Sequence, residues 1–134
     1  MVQYINPEGA APAQGLYSHA TRIEGGPVYF VAGQLAVGAN GEVVGKNDFE
    51  KQFRQVFDNL SDVLRGLGVS FHDVIKFTTY LVSEQHIEIF MKLRAEYFPT
   101  IFEGSKFPPN TLLIVKRLVK EDFLFEVEAV VAAK

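Results

Sequence analysis

The chain is expected to adopt an α+β fold, and three features of its sequence support this. Two long segments have helical periodicity. Several short segments are dense in β-branched and aromatic residues. The strands flank and separate the helices rather than alternating with them one for one. From the N-terminus the predicted order is β-β-α-β-α-β-β, with a short additional strand at residues 3–5. The sequence has no repeat, linker or low-complexity tract, so residues 1–134 are expected to form one domain.

The first helix is predicted over 48–67. Phe49, Phe53, Val56, Phe57, Leu60, Val63, Leu64 and Leu67 recur at i, i+4, i+7 and i+8, forming a broad apolar stripe between polar positions. Asn47 is the expected cap, with Glu50 three residues on, and Gly66 and Gly68 supply the stop. The second helix is predicted over 85–98, capped by Ser83. Ile87, Phe90, Met91, Arg94, Tyr97 and Phe98 share one side, and Pro99 is expected to end the regular turn.

Segment 27–37 is rich in β-formers and precedes Asn40-Gly41, a tight-turn pair. Segment 73–82 is β-branched and aromatic throughout, and 18–24 is a further strand before Gly25-Gly26. Segments 111–117 and 123–132 are expected to form a hairpin around residues 119–122. Two helices can cover only one face of a four- or five-stranded sheet. Yet several strands look apolar on both faces: Leu112 and Ile114 oppose Leu113 and Val115, while Phe123, Phe125, Val127 and Val131 oppose Leu124 and Val130. A second subunit packed on the uncovered face is the simplest remedy, so an oligomer is expected.

Composition narrows the function. There are no cysteines, which removes disulfides, thiolate chemistry and cysteine-ligated metals. The N-terminus has no basic and apolar leader, and no run approaches the roughly 18 apolar residues that span a bilayer. A cytoplasmic location without membrane contact is therefore expected. The net charge of −3 offers no general attraction to phosphate backbones, so nucleic acid is not an expected partner. His19, His72 and His86 lack metal-ligand spacing, and neither a nucleophile-elbow nor a phosphate-loop motif is present; no metal site is expected.

Glu126 and Glu128 alternate with Phe125, Val127 and Ala129, which puts both carboxylates on one strand face about 6.6 Å apart. Either both face water at a strand edge, or one sits at a subunit seam and acts on a bound water as general base or orienter. Arg94 shares the apolar stripe of the second helix, so its stem should lie along packed surface. Its head then either reaches solvent or reaches a cleft.

Five segments taken together carry a resemblance. Gly15-Leu16-Tyr17-Ser18-His19-Ala20 resembles a GPYSQA segment, and Ala32-Gly33-Gln34 resembles S-G-Q within a strand. Residues 55–60 (QVFDNL), Phe107-Pro108-Pro109-Asn110-Thr111 and Phe125-Glu126-Val127-Glu128-Ala129 follow in the matching order. The chain resembles, over essentially its whole length, the reactive intermediate deaminase family, also called RidA, YjgF or L-PSP. The resemblance implies a chorismate-mutase-like α+β fold with a mixed sheet, a homotrimer, and small-molecule clefts at the subunit seams. It also implies hydrolysis of reactive enamines or imines such as 2-aminoacrylate, without metal or organic cofactor. Some members carry an endoribonuclease label.

Carried over by position, the resemblance implies that Glu126 positions the hydrolytic water, that Tyr17 lines the cleft and that Gly33 lets backbone approach the ligand. Ala32 stands where a serine is usual, and Asn110, followed by Thr111, stands where an arginine clamps the substrate carboxylate. An asparagine amide has neutral donors and no charge, which implies a substrate other than the simple 2-imino acids. Arg94 is the candidate to supply that charge from the helix. The alternative expectation is a non-catalytic small-molecule-binding trimer.

Overall fold

The order of elements follows from where the chain can bury apolar surface without stranding its backbone. A computed structural model of the protein describes residues 2–134. Strands β1 (Val2–Ile5) and β2 (Ala20–Ile23) pair antiparallel as a small separate sheet. The main sheet contains β3 (Val28–Gln34), β4 (Val74–Leu81), β5 (Asn110–Ile114) and β6 (Phe125–Ala132) in the order β3-β6-β4-β5. Helices α1 (Phe49–Gly66) and α2 (Ile87–Ile101) supply the rest of the core. The sheet is mixed: β4 runs parallel to β5 and antiparallel to β6.

The core lies between the helices and one face of that sheet, and it is largely phenylalanine. Phe53 stacks on Phe125 with ring centroids 5.4 Å apart, and Phe57 touches Phe77 and Phe98 edge-on. Phe125, Val127, Ala129 and Val131 alternate inward along β6, as a half-buried strand should. Beneath α1, Gln52 is buried but fully engaged. Its Nε2 donates to the carbonyls of Gly45 and Asp122, and its Oε1 accepts from Leu124 N.

Three local details depart from the sequence reading. Asp48, not Asn47, caps α1, its side chain accepting from Lys51 N at 3.0 Å; Asn47 instead adopts φ 60°, a conformation asparagine tolerates. Ser83 caps a short 3₁₀ turn, Glu84–His86, from which α2 continues. Pro99 lies inside α2 rather than ending it. It removes a single donor, and the last turn still closes through Phe102 N to Phe98 O, with both rings buried.

The largest departure is that β5 and β6 do not form a hairpin. They lie on opposite sides of β4, and the chain from 115 to 124 crosses between them. Strand β4 buries Val74, Phe77, Thr79 and Leu81, so it takes a neighbour on each edge; Gln52 holds the crossing segment through Asp122 and Leu124. The uncovered face is also less apolar than expected. Phe30 (81% exposed), Leu113 (45%) and Val130 share it with Lys76, Thr78, Thr111, Glu126 and Glu128.

Candidate functional site

The register of the sheet sorts the candidate residues into two groups. Asn110 pairs with the buried Phe77 and Leu112 with the buried Thr79, so both point to the helix-covered side. Thr111 is exposed on the other side, which it shares with the half-buried Glu126 and Glu128.

The first group encloses a cavity of about 300 Å³ at the β5 edge. Gln14 and Tyr17 wall it from the N-terminal segment, Ile87, Met91 and Arg94 from α2, and Asn110 and Leu112 from β5. Arg94 is only 3% exposed, so it does not snorkel to solvent. Its guanidinium donates to Met91 Sδ at 3.1 Å and lies 4.9 Å above the Phe90 ring. Gly15 is what admits the arginine: a Cβ there would sit 2.4 Å from Arg94 Nη2, and the local φ of 151° already favours glycine. Burial pulls the Arg94 pKa down to about 10, which still leaves it charged at neutral pH.

The neighbouring polar groups are oriented by bonds of their own. Asn110 Oδ1 accepts from Thr79 Oγ1 at 2.7 Å, and the Tyr17 hydroxyl oxygen accepts from Gln14 N at 3.0 Å.

The second group lies across the sheet, on β6 and β3. The Glu126 side chain folds over Gly33; a Cβ at that glycine would fall 1.7 Å from Oε2. Gly33 therefore makes room for the carboxylate itself. Ala32 is exposed beside it, where the β3–β6 pairing is irregular between Val31 and Gln34. Glu128 accepts a short hydrogen bond from the Tyr80 hydroxyl. Burial, and then the nearby Glu128 charge, hold the Glu126 carboxyl above its ordinary range. The bond to Glu128 raises the Tyr80 phenol.

Within one protomer the two groups do not meet. They lie on opposite faces of the sheet, two to three strand spacings apart, or about 10–14 Å. Tyr17, Arg94 and Asn110 are brought together; Ala32, Gly33 and Glu126 form the other cluster, and Thr111 shares only their face. Sequence reasoning missed Gln14, Ile87 and Met91 as cavity walls and Tyr80 as the partner of Glu128. Met91 and Arg94 stand three residues apart on one helical stripe, a spacing that could have flagged them as neighbours.

A larger groove of about 680 Å³ runs past Tyr4, His72, Asp73 and Lys134. There Asp73 accepts from Ser70 N and pairs with Lys134 at 3.5 Å, so no buried charge in it lacks a partner.

An α+β chain with a mixed four-stranded sheet, an edge cavity built around an arginine, and a glutamate over a strand glycine defines the class. The family model described as Endoribonuclease L-PSP matches residues 8–133. The chain therefore belongs to the RidA/YjgF/L-PSP family. A RutC family protein of Pyrococcus horikoshii is 37% identical over 97% of each chain. The 3-aminoacrylate deaminase RutC of Acinetobacter baylyi is 29% identical over 96% of this chain and 95% of its own. A crystal structure of the Rid family protein YyfB from Yersinia pestis superposes with a TM-score of 0.86 at 33% identity, covering 98% of each chain. No helix among the described residues is long and apolar enough to cross a membrane.

Proposed function

We propose that this protein hydrolyses a small imine or enamine in a cleft completed by two subunits, and that its substrate differs from the simple 2-imino acids. The observation that carries the reading is Glu126, a half-buried carboxylate whose pKa burial raises and which has no hydrogen-bond partner among the described residues. A base with a raised pKa is suited to taking a proton from water near neutral pH. Glu126 would take one proton from water as the water oxygen adds to the C=N carbon and would pass it to the nitrogen; the hydroxyl proton would then move to the nitrogen as the C–N bond breaks, so that ammonia leaves, the carbonyl forms and the carboxylate is restored.

The two-faced arrangement supports a shared cleft. Glu126 and Gly33 lie on one face of a protomer, while Tyr17, Arg94 and Asn110 line a cavity on the other. Joining two unlike surfaces is a heterologous contact, which closes only as a ring. A homotrimer satisfies it, and Phe30 and Leu113 would then be covered. Asn110 takes the place of the family's arginine, and Thr111, on the face of Glu126, would bind the polar end of a substrate held at the seam. Ammonia release from imines generated in situ by a flavin amine oxidase tests the chemistry, and 2-imino acids from an amino-acid oxidase, expected to turn over more slowly, test the substrate class. Glu126→Gln should lower the rate by about 100-fold or more. Wild-type turnover matched by the variant would overturn the assignment, and a 15.0 kDa particle in light scattering would overturn the ring.

One observation favours a second reading, a binding protein without turnover. The cavity around Arg94 contains no carboxylate and no histidine, so within a single subunit it can hold a ligand but has no general base. Stoichiometric ligand binding with no ammonia release from any imine would select that reading.

A further inference from the structure

Glu126 and Glu128 stand two residues apart on β6, about 6.6 Å along one strand face, yet their surroundings differ. Strand β4 supplies the difference. In the register of the sheet Tyr80 lies opposite Glu126, and Thr78 lies opposite Glu128. The Tyr80 hydroxyl does not bond to the carboxylate it faces; it reaches diagonally and donates to Glu128 Oε1. One carboxylate is thereby fixed, while the other folds over Gly33 with no hydrogen-bond partner among the described residues. The bond to Glu128 raises the phenol, so the donor keeps its proton wherever a glutamate titrates.

No other side chain among the described residues holds Glu128. Their ion pairs engage Glu24, Asp122, Glu50, Asp62 and Asp73, so neither glutamate of β6 is in one. Lys76, the other titratable side chain that β4 turns to this face, is exposed and stands opposite Val130. Strand β3 brings Phe30, Ala32 and Gly33, and β5 brings Thr111 and Leu113, none of which titrates. Across the seam proposed above, the partner subunit's Arg94 would face Glu126 as well. An opposing cation makes a carboxylate a weaker base, and a like charge beside it makes it a stronger one. Within the protomer, burial and then the Glu128 charge act on Glu126 in the second direction.

We propose that Tyr80 is a positioning residue for the Glu126 base: its hydroxyl pins the Glu128 carboxylate beside Glu126, and that fixed negative charge keeps Glu126 able to take a proton from water. Tyr80 touches neither water nor substrate in this role; it acts through Glu128. A phenol suits the task because it donates a hydrogen bond without the positive charge of lysine or arginine, which would cancel the field it is there to fix. The inference deepens the hydrolase reading by naming what tunes its base, and it rests on that reading only for the effect on turnover.

The Glu126 carboxyl can be titrated by carboxyl-carbon NMR in the assembled protein, alongside the pH dependence of imine hydrolysis. Glu128→Gln keeps an acceptor for Tyr80 but removes the charge, and should lower the Glu126 midpoint by about 0.5–1 pH unit. Tyr80→Phe should reproduce about half of that shift or more, because the freed carboxylate turns toward water. Adding Tyr80→Phe to Glu128→Gln should produce no further shift, since the phenol then has no charge to hold. The rising limb of the hydrolysis profile should move to lower pH by the same amounts, with a lower plateau. A Glu126 midpoint unmoved by Tyr80→Phe would overturn the proposal; one unmoved by Glu128→Gln would do so even if Tyr80→Phe failed to fold. A Tyr80→Phe shift that persists in the Glu128→Gln background would overturn it too, because the tyrosine would then act on Glu126 directly. Coupled midpoints without any imine turnover would sink the hydrolase reading and leave the coupling of Tyr80, Glu128 and Glu126 standing. Turnover that depends on Glu126 but keeps its pH profile in Tyr80→Phe would do the reverse.

Discussion

Gln52 and Arg94 are both helix residues sunk into the interior, at 0% and 3% exposure, yet their surroundings are opposite. Gln52 satisfies its amide completely: two carbonyls, of Gly45 and Asp122, accept from it, and Leu124 N donates to it. It joins residues about seventy positions apart and holds the segment that crosses between β5 and β6. Arg94 has a sulfur, a ring and a cavity. A buried polar group with every partner present serves the fold; one with its partners withheld is prepared for something that arrives later.

That contrast is open to test, and the largest effect belongs to Gln52. Gln52→Ala would leave two carbonyls and one N–H of the crossing segment without their partner, and the expected loss is about 3 kcal/mol in urea unfolding. A loss under about 1 kcal/mol would mean that water replaces the side chain and that the clamp is incidental. Arg94→Met should move stability by no more than about 1 kcal/mol, toward greater stability, because it removes an uncompensated charge while keeping most of the apolar contact. A loss as large as that of Gln52→Ala would make Arg94 structural and erase the distinction.

The smallest effect expected is that of Glu126→Gln, read as a pH profile. The folded-state pKa of Glu126 lies above the ordinary glutamate value of 4.5, so the native state holds a proton that the unfolded chain has already released. Stability should then decline as pH rises through the window that begins near 4.5 and ends at the raised value, and the penalty persists above it. Glu126→Gln should remove that decline, so the variant should gain on the wild type as pH rises, a trend visible in the Tm difference. Parallel profiles for the two proteins would mean that the carboxylate is solvated, with no base held ready. Hydrolysis should show the opposite slope, increasing as Glu126 loses its proton.

Much of this molecule was legible from local pattern. The apolar stripe from Phe49 to Leu64 located α1, and the alternation from Phe125 to Val131 put Glu126 and Glu128 on one strand face, which the structure turns away from the helices. Tyr17, Asn110 and Arg94, eighty or more residues apart at the extremes, do line one cavity. The hairpin expected from 111 to 132 was wrong because a turn-rich linker between two strands reads alike whether they pair or flank a third. Asn47 and Asp48 are both good caps, and only the backbone at φ 60° showed which residue stood outside the helix. The carboxylates and threonines on the uncovered face were hidden by counting apolar residues without their register.

The sequence by itself determined the helices and strands and the sides they bury, because periodicities of 3.6 and 2 are properties of neighbouring residues. The tertiary structure alone decided that β4 separates β5 from β6, and that Glu126 and Arg94 lie on opposite faces of the sheet. Above all, it decided that the guanidinium of Arg94 turns inward instead of reaching solvent. Its stem would lie on apolar surface in either case; the direction of its head depends on Gly15, seventy-nine positions earlier, having no side chain where the arginine must fit.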